Sequence, residues 1–461
     1  MQYESTGRVG RRPRVLVVGA GFGGLRVAAQ LRRAACDVIL VDRSNHHVFQ
    51  PLLYQVATAA LSPADIAAPI RSIVRRQKNA QVILGTVTLI DLAEQRVFLG
   101  AEEIAWDWLV LAAGATHAYF GQGAWAARAP GLKTIDDALE VRRRVLLAFE
   151  EAELEEAPEA RSAKLTFVVI GGGPTGVEMA GALREIAAQT IPDDFRRIDT
   201  TTANIVLLEG GARLLSGMSE AASNAALASL QGMGVDVRLN TYVTDLDDEA
   251  VWIGEQRVPA ANVIWAAGVQ GAAVAKTLDT VLDDEGRVVV ESDCSVPGYP
   301  SVFVIGDLAA QTDAMTGRPV PGVAQGAIQM GDFVGRIVAD EVERCRSLTA
   351  VGEHPSTARS RATGSPASRP AFRYNDKGDM ATIGRARAVA DVFGTTFSGF
   401  VAWVLWSVIH VAFLVGFRNQ LLVMVNWAWQ WIVQARGARL ITGNPEVRVE
   451  SPVDLSANAV D

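Results

Sequence analysis

The chain has 461 residues, 49% hydrophobic and 20% charged, with a formal net charge of −8. That length allows two or three domains with cores of their own, while the acidic balance and the lack of a dense basic run exclude phosphate tracking and a nucleic-acid partner. Cys36, Cys294 and Cys345 form no CxxC or CxxxxC pair, and His46, His47, His117, His354 and His410 lack metal-ligand spacing, so neither a sequence-local redox dithiol nor a metal site is expected.

The N-terminus, MQYESTGRVGRRPR, carries charge but no signal-peptide core, which places the bulk of the chain on the cytoplasmic side. It runs into an apolar strand, RVLVV, then Gly19-x-Gly21-x-x-Gly24, a helical pattern, and a second strand, DVILVD, ending at Asp42. Gly19 permits a tight turn, Gly21 lets backbone approach a pyrophosphate, and Gly24 allows close helix packing. The helix N-terminus faces the anion, and Asp42, 18 residues after Gly24, can accept hydrogen bonds from a ribose. This is a dinucleotide cradle.

The strand WDWLVL leads into Ala112-Ala113-Gly114, and DDALEVRRRVLLAFEEAELEEAPEA then reads as a charged amphipathic helix, a solvated face between two domains. The cradle pattern recurs. KLTFVVI precedes Gly171-x-Gly173-x-x-Gly176, and the strand ANIVLLE ends at Glu209, 33 residues past Gly176. A carboxylate there repels a 2′-phosphate and favours NADH over NADPH. ANVIW then leads into Ala266-Ala267-Gly268, a repetition of the earlier Ala-Ala-Gly that supports internal duplication. Two cradles suggest two cofactors passing electrons.

Further along come SVFVIGDLAA, with Gly306 and Asp307 at a strand end, and a helix start, AQGAIQ, placing Gln325 and Gln329 on one face. Residues 347–371 are rich in Ser, Thr, Pro, Gly and Arg and read as a flexible linker. FRYNDKGDMATIGRARAVADVF follows as a short β-hairpin. Residues 397–417 hold no Asp, Glu, Lys or Arg, so a single membrane span there stays open beside a monotopic anchor. In residues 418–436, Asn419, Asn426, Gln430 and Gln434 give a polar stripe, and Trp427, Trp429 and Trp431 suit a headgroup interface. A buried dimer interface is the third reading of these helices.

With these residues in view, the chain resembles the flavoprotein disulfide-reductase superfamily of two dinucleotide-binding domains. More narrowly, NHHVFQPLLYQVATAALSPADIAAPIR (45–71), GGGPTGVEMAGALREIA (171–187) and AQGAIQ (324–329) resemble the type II NADH:quinone oxidoreductases, from residue 14 to about 442. The resemblance implies an α/β fold of two Rossmann-like domains, the second inserted in the first, with a C-terminal amphipathic helical membrane anchor. The implied layout is an FAD domain over 12–160 and 287–346, an NADH domain over 161–286, the linker, and a C-terminal hairpin with anchoring helices over 372–461. It implies non-covalent FAD held by Gly19, Gly21, Gly23, Gly24, Asp42, Arg43, Val87, Gly114, Gly306, Asp307 and Ala324. NADH would lie on Gly171, Gly173, Gly176, Glu209, Ala267 and Gly268, with Glu178 handling a proton or orienting the two ligands. Gln325 and Gln329 would line a quinone pocket, where an uncharged amide meets a quinone carbonyl without burying a charge.

The expected activity is hydride transfer from NADH to FAD and two-electron reduction of a membrane quinone without proton pumping, by a homodimer on the inner face of the cytoplasmic membrane. Sulfide:quinone and disulfide reductases share the fold but need redox cysteines that this chain does not supply. A soluble NADH-dependent ferredoxin or rubredoxin reductase and a membrane-tethered flavin redox sensor are the alternatives; the tryptophan-rich tail speaks against the first. No separate tasks follow for His46, His47, Gln50 or Lys377, and the sequence does not choose between ubiquinone and menaquinone.

Overall fold

The structure, a computed structural model, describes residues 12–392, 394–433 and 437–442. Strands β1 (Arg14–Val18), β2 (Asp37–Asp42), β3 (Ala80–Leu84) and β4 (Trp108–Leu111) form a parallel sheet in the order β3-β2-β1-β4. β1 and β4 are almost wholly buried, as a parallel sheet covered on both faces demands. Strands β5 (Thr166–Ile170), β6 (Asn204–Leu208), β7 (Asp236–Arg238) and β8 (Asn262–Trp265) repeat this arrangement as β7-β6-β5-β8, again parallel. The chain then returns to the first sheet. β9 (Tyr299–Val304) pairs parallel with β4, Val302 opposite Leu109, so two separate chain segments build the first sheet.

The duplication extends to the Ala-Ala-Gly turns after β4 and β8. The segments leaving them, Ala115–His117 and Val269–Gly271, pair with each other antiparallel, with Thr116 opposite Gln270. Each domain's main strand thus ends at a shared seam. The helix Ile135–Leu154, expected as a solvated face, instead buries Val141, Val145 and Phe149 in the core, and one of its charged residues, Arg142, is buried as well.

Residues 347–371 are not a linker. The helix α3 (Ala324–Ala350) runs into them, α4 (Pro355–Ala362) follows, and Arg369 is 9% exposed. The Arg369 guanidinium donates to Glu341 and Asp293 at 2.8 Å each and to the Pro300 carbonyl at 2.7 Å, and lies over the Phe303 ring. Trp108 Nε1–H donates to the other oxygen of Glu341 at 2.8 Å. Removing one partner from such a buried set would strand a charge, so the segment is locked.

At the C-terminus, β10 (Asp379–Gly384), β11 (Arg387–Val392) and β12 (Thr395–Ser398) form a three-stranded antiparallel sheet, one strand more than a hairpin. Two helices follow, α5 (Gly399–Phe413) and α6 (Phe417–Val433), separated by Gly416 at φ +94°. The uncharged stretch 397–417 therefore contains a strand end, a 15-residue helix and a turn. Among the described residues no helix is long and apolar enough to cross a membrane. Gln434 lies outside the described residues, as do the side chains of Gln430 and Trp431.

Candidate active site between the two cradles and the C-terminal helices

The two glycine turns are built alike. Gly19 and Gly171 sit at φ +98° and +111°, each against the Ala-Ala-Gly turn of its own domain, Ala112 and Ala266 respectively. A Cβ on Gly24 or Gly176 would collide with the carbonyl oxygen of the first glycine in its own turn. By contrast, a Cβ on Gly21 or Gly173 would meet nothing within 4 Å. The fold leaves a space at the middle glycine, in front of the helix α1 (Phe22–Gln30) in one cradle and α2 (Pro174–Glu185) in the other. That space faces the free amides of a helix N-terminus, which is where a pyrophosphate fits.

Asp42 accepts the backbone N–H of Ala20 and of Ser44, both at 2.7 Å. Glu209 accepts those of Gly172 at 2.5 Å and Gly211 at 2.6 Å. Each strand-end acid thus clamps its glycine turn and is itself held in place, with further lone pairs free for ribose hydroxyls. Ala267 and Gly268 are half-buried beside the second cradle, and Gly268 faces the ring of Phe120.

The late segments close over the first cradle. A Cβ on Gly23 would lie 3.0 Å from Ile305 and 3.1 Å from the Ala327 carbonyl, so the α3 start, with Ala324 at its head, packs on α1 there. Gly306 (φ +70°) and Asp307 lie between them, and Gly114 (φ +68°) ends the turn after β4. Lys133 Nζ, unforeseen from sequence, stands 3.4 Å from Asp307. Arg43 is exposed and Val87 packs on the first core beyond β3.

These residues fit FAD on two independent observations. The Gly21 space is one. The other is a pair of buried acceptors without a partner among the described residues: Gln325 Oε1 and His47 Nε2. His47 Nδ1 lies 3.1 Å from the Ala20 carbonyl, which can only accept, so Nδ1 carries the hydrogen and Nε2 is a bare acceptor; burial lowers the ring's pKa and keeps it neutral. A dinucleotide in this cradle brings the hydroxyl and N–H donors both groups lack. Gln329 is different. Its amide donates to the Asn375 carbonyl at 3.0 Å and accepts the Asn375 N–H at 2.9 Å, so both ends bind main chain. The expected pair of quinone-facing amides thus separates into an unsatisfied Gln325 and a stapled Gln329.

Glu178 is the fifth residue of α2. At Gly181, one turn on, α2 meets the β10 carbonyl of Ile383 so closely that any Cβ would overlap it. This contact brings Thr382 beside Glu178. Burial pushes the Glu178 carboxyl well above its ordinary range, opposed by the Thr382 backbone hydrogen bond. Glu178 lines a cleft with Tyr54, Gln55, Thr382 and Ile383 and with Trp403, Trp406 and Trp427 of the terminal helices. Neither Gln325 nor Gln329 is among the residues lining it. Tyr54 and Gln55 lie in the stretch 45–71, whose pattern was visible; the tryptophans were visible only as interface formers.

Asn419 and Asn426 of the α6 polar stripe turn inward. Asn419 donates to the Ala67 carbonyl at 3.2 Å, Asn426 to Asp65 at 3.3 Å, and Trp427 Nε1–H to Gln55 Oε1 at 2.8 Å. The outward face is apolar: Leu421, Met424, Val425 and Trp429 are exposed, as are Phe400, Val401, Val404 and Val408 of α5. The two asparagines dock on the protein, while Trp429, one of the tryptophans read as suiting a headgroup interface, lies on the outward apolar patch, of the kind that marks a membrane or partner site. Between them, rings run from the first cradle to this face: His47 and Phe49 each meet Phe22 edge-on, Phe49 meets His410, and Trp406 stacks on His410 at 4.3 Å. His410 Nδ1 lies 2.7 Å from the Trp406 carbonyl, and burial brings its pKa down to about 4.

The pyridine nucleotide-disulphide oxidoreductase family matches residues 13–331, and the NDH2 C-terminal domain matches 377–434. The type II NADH:quinone oxidoreductase Ndh of Mycobacterium tuberculosis is 42% identical over 99% of this chain and 97% of its own length. A type II NADH:quinone oxidoreductase of Staphylococcus aureus is 28% identical over 84% of this chain and 92% of its own. The structure of NDH2 from Plasmodium falciparum in complex with NADH superposes with a TM-score of 0.79 over 94% of this chain and 100% of that one; at 18% identity it speaks for the fold. The duplicated cradles, the inward-docked terminal helices and an alignment of this extent together place the chain in the type II NADH:quinone oxidoreductase family, among the pyridine nucleotide-disulphide oxidoreductases.

Proposed function

We propose that the chain oxidises NADH at the second cradle and reduces a membrane quinone by two electrons, with FAD bound along the first. The single observation carrying this reading is the cleft at Glu178, where a residue of the second-cradle helix faces Tyr54 and Gln55, just beyond the first cradle, and three tryptophans of the terminal helices. The chemistry FAD supplies when bound is two-electron carriage between a hydride donor and a quinone.

The remaining work belongs to the chain. The helix amides behind Gly21 and Gly173 hold two pyrophosphates, which fixes both ligands and turns hydride transfer into a positioned event. Asp42 and Glu209 orient the riboses. NADH supplies one hydride, and forming a quinol from a quinone takes up one further proton from solvent. Glu178, with its carboxyl pKa raised by burial, holds a proton at that place. Gln325, whose side-chain amide N–H can donate to a quinone carbonyl, orients the quinone head, while Gln329 fixes the 372–378 segment through Asn375. The apolar face of α5 and α6 rests on the cytoplasmic leaflet of the membrane, and the protein acts there as a homodimer without pumping ions.

Purification from membranes with a visible spectrum tests this reading. A flavin spectrum should bleach with NADH and return with quinone. A colourless polypeptide, or bleaching that quinone does not reverse, refutes it. Light scattering in detergent decides the dimer.

A further inference from the structure

Tyr242 is an aromatic ring with 72% of its surface exposed, yet the backbone around it is fixed. Thr241 N–H donates to the Glu209 carbonyl and Asn240 N–H to the Gly211 carbonyl, both at 2.9 Å, knitting the segment after β7 to the turn after β6. Asn240 takes a positive φ of +52° to make this link. The ring itself leans on Gly210: a Cβ there would lie 2.5 Å from its Cε1 and 2.9 Å from its Cζ, so only glycine admits it. One side of the tyrosine rests on main chain and the other is open to solvent, one residue from the Glu209 carboxylate.

In a Rossmann unit the pyrophosphate lies at the helix N-terminus, the ribose at the acid ending the second strand, and the base beyond that ribose. Here the position beyond Glu209, at the C-terminal edge of β6 and β7, is where Tyr242 stands. We propose that Tyr242 is the adenine platform of the NADH site, a positioning residue whose π-face stacks on the base while Glu209 holds the adjoining ribose. Among the described residues no core cluster includes this ring, and a flat aromatic of low side-chain entropy suits a planar base. The proposal rests on the reading that the second cradle binds NADH and adds the residue that recognises its adenosine half.

The test uses the full chain with bound flavin and two donors: NADH, and reduced nicotinamide mononucleotide, which lacks the adenosine monophosphate half. Base–aromatic stacking lost to alanine spans roughly 5- to 150-fold in affinity. Tyr242→Ala should raise the KM for NADH about tenfold at unchanged kcat, the lower part of that range because the ring is exposed. It should weaken ADP-ribose inhibition in parallel and leave kcat/KM for the mononucleotide unaltered, and Tyr242→Phe should behave as wild type. An unmoved KM for NADH in Tyr242→Ala overturns the assignment, and so does an equal loss with both donors, which would mean a fold effect. A wild-type protein that fails to oxidise NADH overturns the functional reading and Tyr242 with it; wild-type turnover with an indifferent Tyr242→Ala overturns Tyr242 alone.

Discussion

The two cradles can be told apart by one methyl group placed twice. Gly21 and Gly173 both cap their helices at φ −71° with extended ψ, a conformation alanine adopts without strain. An added Cβ meets no protein atom within 4 Å at either position. The cost to the fold is therefore a change of helix cap, up to about 1 kcal/mol. The cost to a ligand is larger, since the methyl group enters the space through which a pyrophosphate reaches the helix amides. Losing two charge-assisted hydrogen bonds at about 1.5 kcal/mol each gives roughly 3 kcal/mol, or about a hundredfold in affinity. Gly21→Ala should purify folded but with little flavin. Gly173→Ala should purify yellow, with a KM for NADH raised by about two orders of magnitude. Absorbance of the bound flavin, circular dichroism and NADH titration read all three quantities. Full flavin in Gly21→Ala, or flavin loss in Gly173→Ala, would show that the cradles have been assigned to the wrong ligands.

Glu209→Gln removes a negative charge beside the expected ribose, so the ratio of kcat/KM for NADH over NADPH should fall at least about tenfold; steady-state rates with both donors check it. For Glu178 the sign follows from burial. Its folded pKa lies above the ordinary 4.5, so the unfolded chain ionises first and the group's cost to stability grows as pH rises from about 4.5 to the folded value. Glu178→Gln should therefore gain thermal stability over wild type at pH 8 and show little gain near pH 4, by melting curves across that range. Trp427→Phe keeps the ring near Trp406 but leaves the Gln55 oxygen unpaired, a loss of about 1–3 kcal/mol. Rapid mixing should show NADH bleaching unchanged and quinone reoxidation slowed.

What was legible in the chain was whatever depends on neighbours in sequence. Gly19 must take a positive φ, Gly24 must touch Gly19, and Asp42 must end the next strand, all within one βαβ unit. Glu178 was legible as a member of its motif, but its environment was not, because Thr382 and Trp427 arrive from the far end of the chain. The same limit produced the misreadings. Arg369 sits in a stretch with the composition of a linker, and only its distant partners Asp293 and Glu341 make it a core residue. Gln329 shares a helical face with Gln325, yet Asn375, outside any periodicity, decides what its amide does. In α6 the spacing of Asn419 and Asn426 defined a face correctly; spacing alone does not say whether a polar face looks at water or at Ala67 and Asp65.

The inward hydrogen bonds of the last helix change what a truncation can teach. Cutting the chain before residue 399 removes three tryptophans from the Glu178 cleft and strips cover from Gln55 and Asp65. Such a protein would lose the outward apolar patch and a wall of the Glu178 cleft at one stroke, so a loss of activity would report on both together. The outward valines at 401, 404 and 408 offer a cleaner handle, because they touch the outside world while the scaffold behind them stays whole.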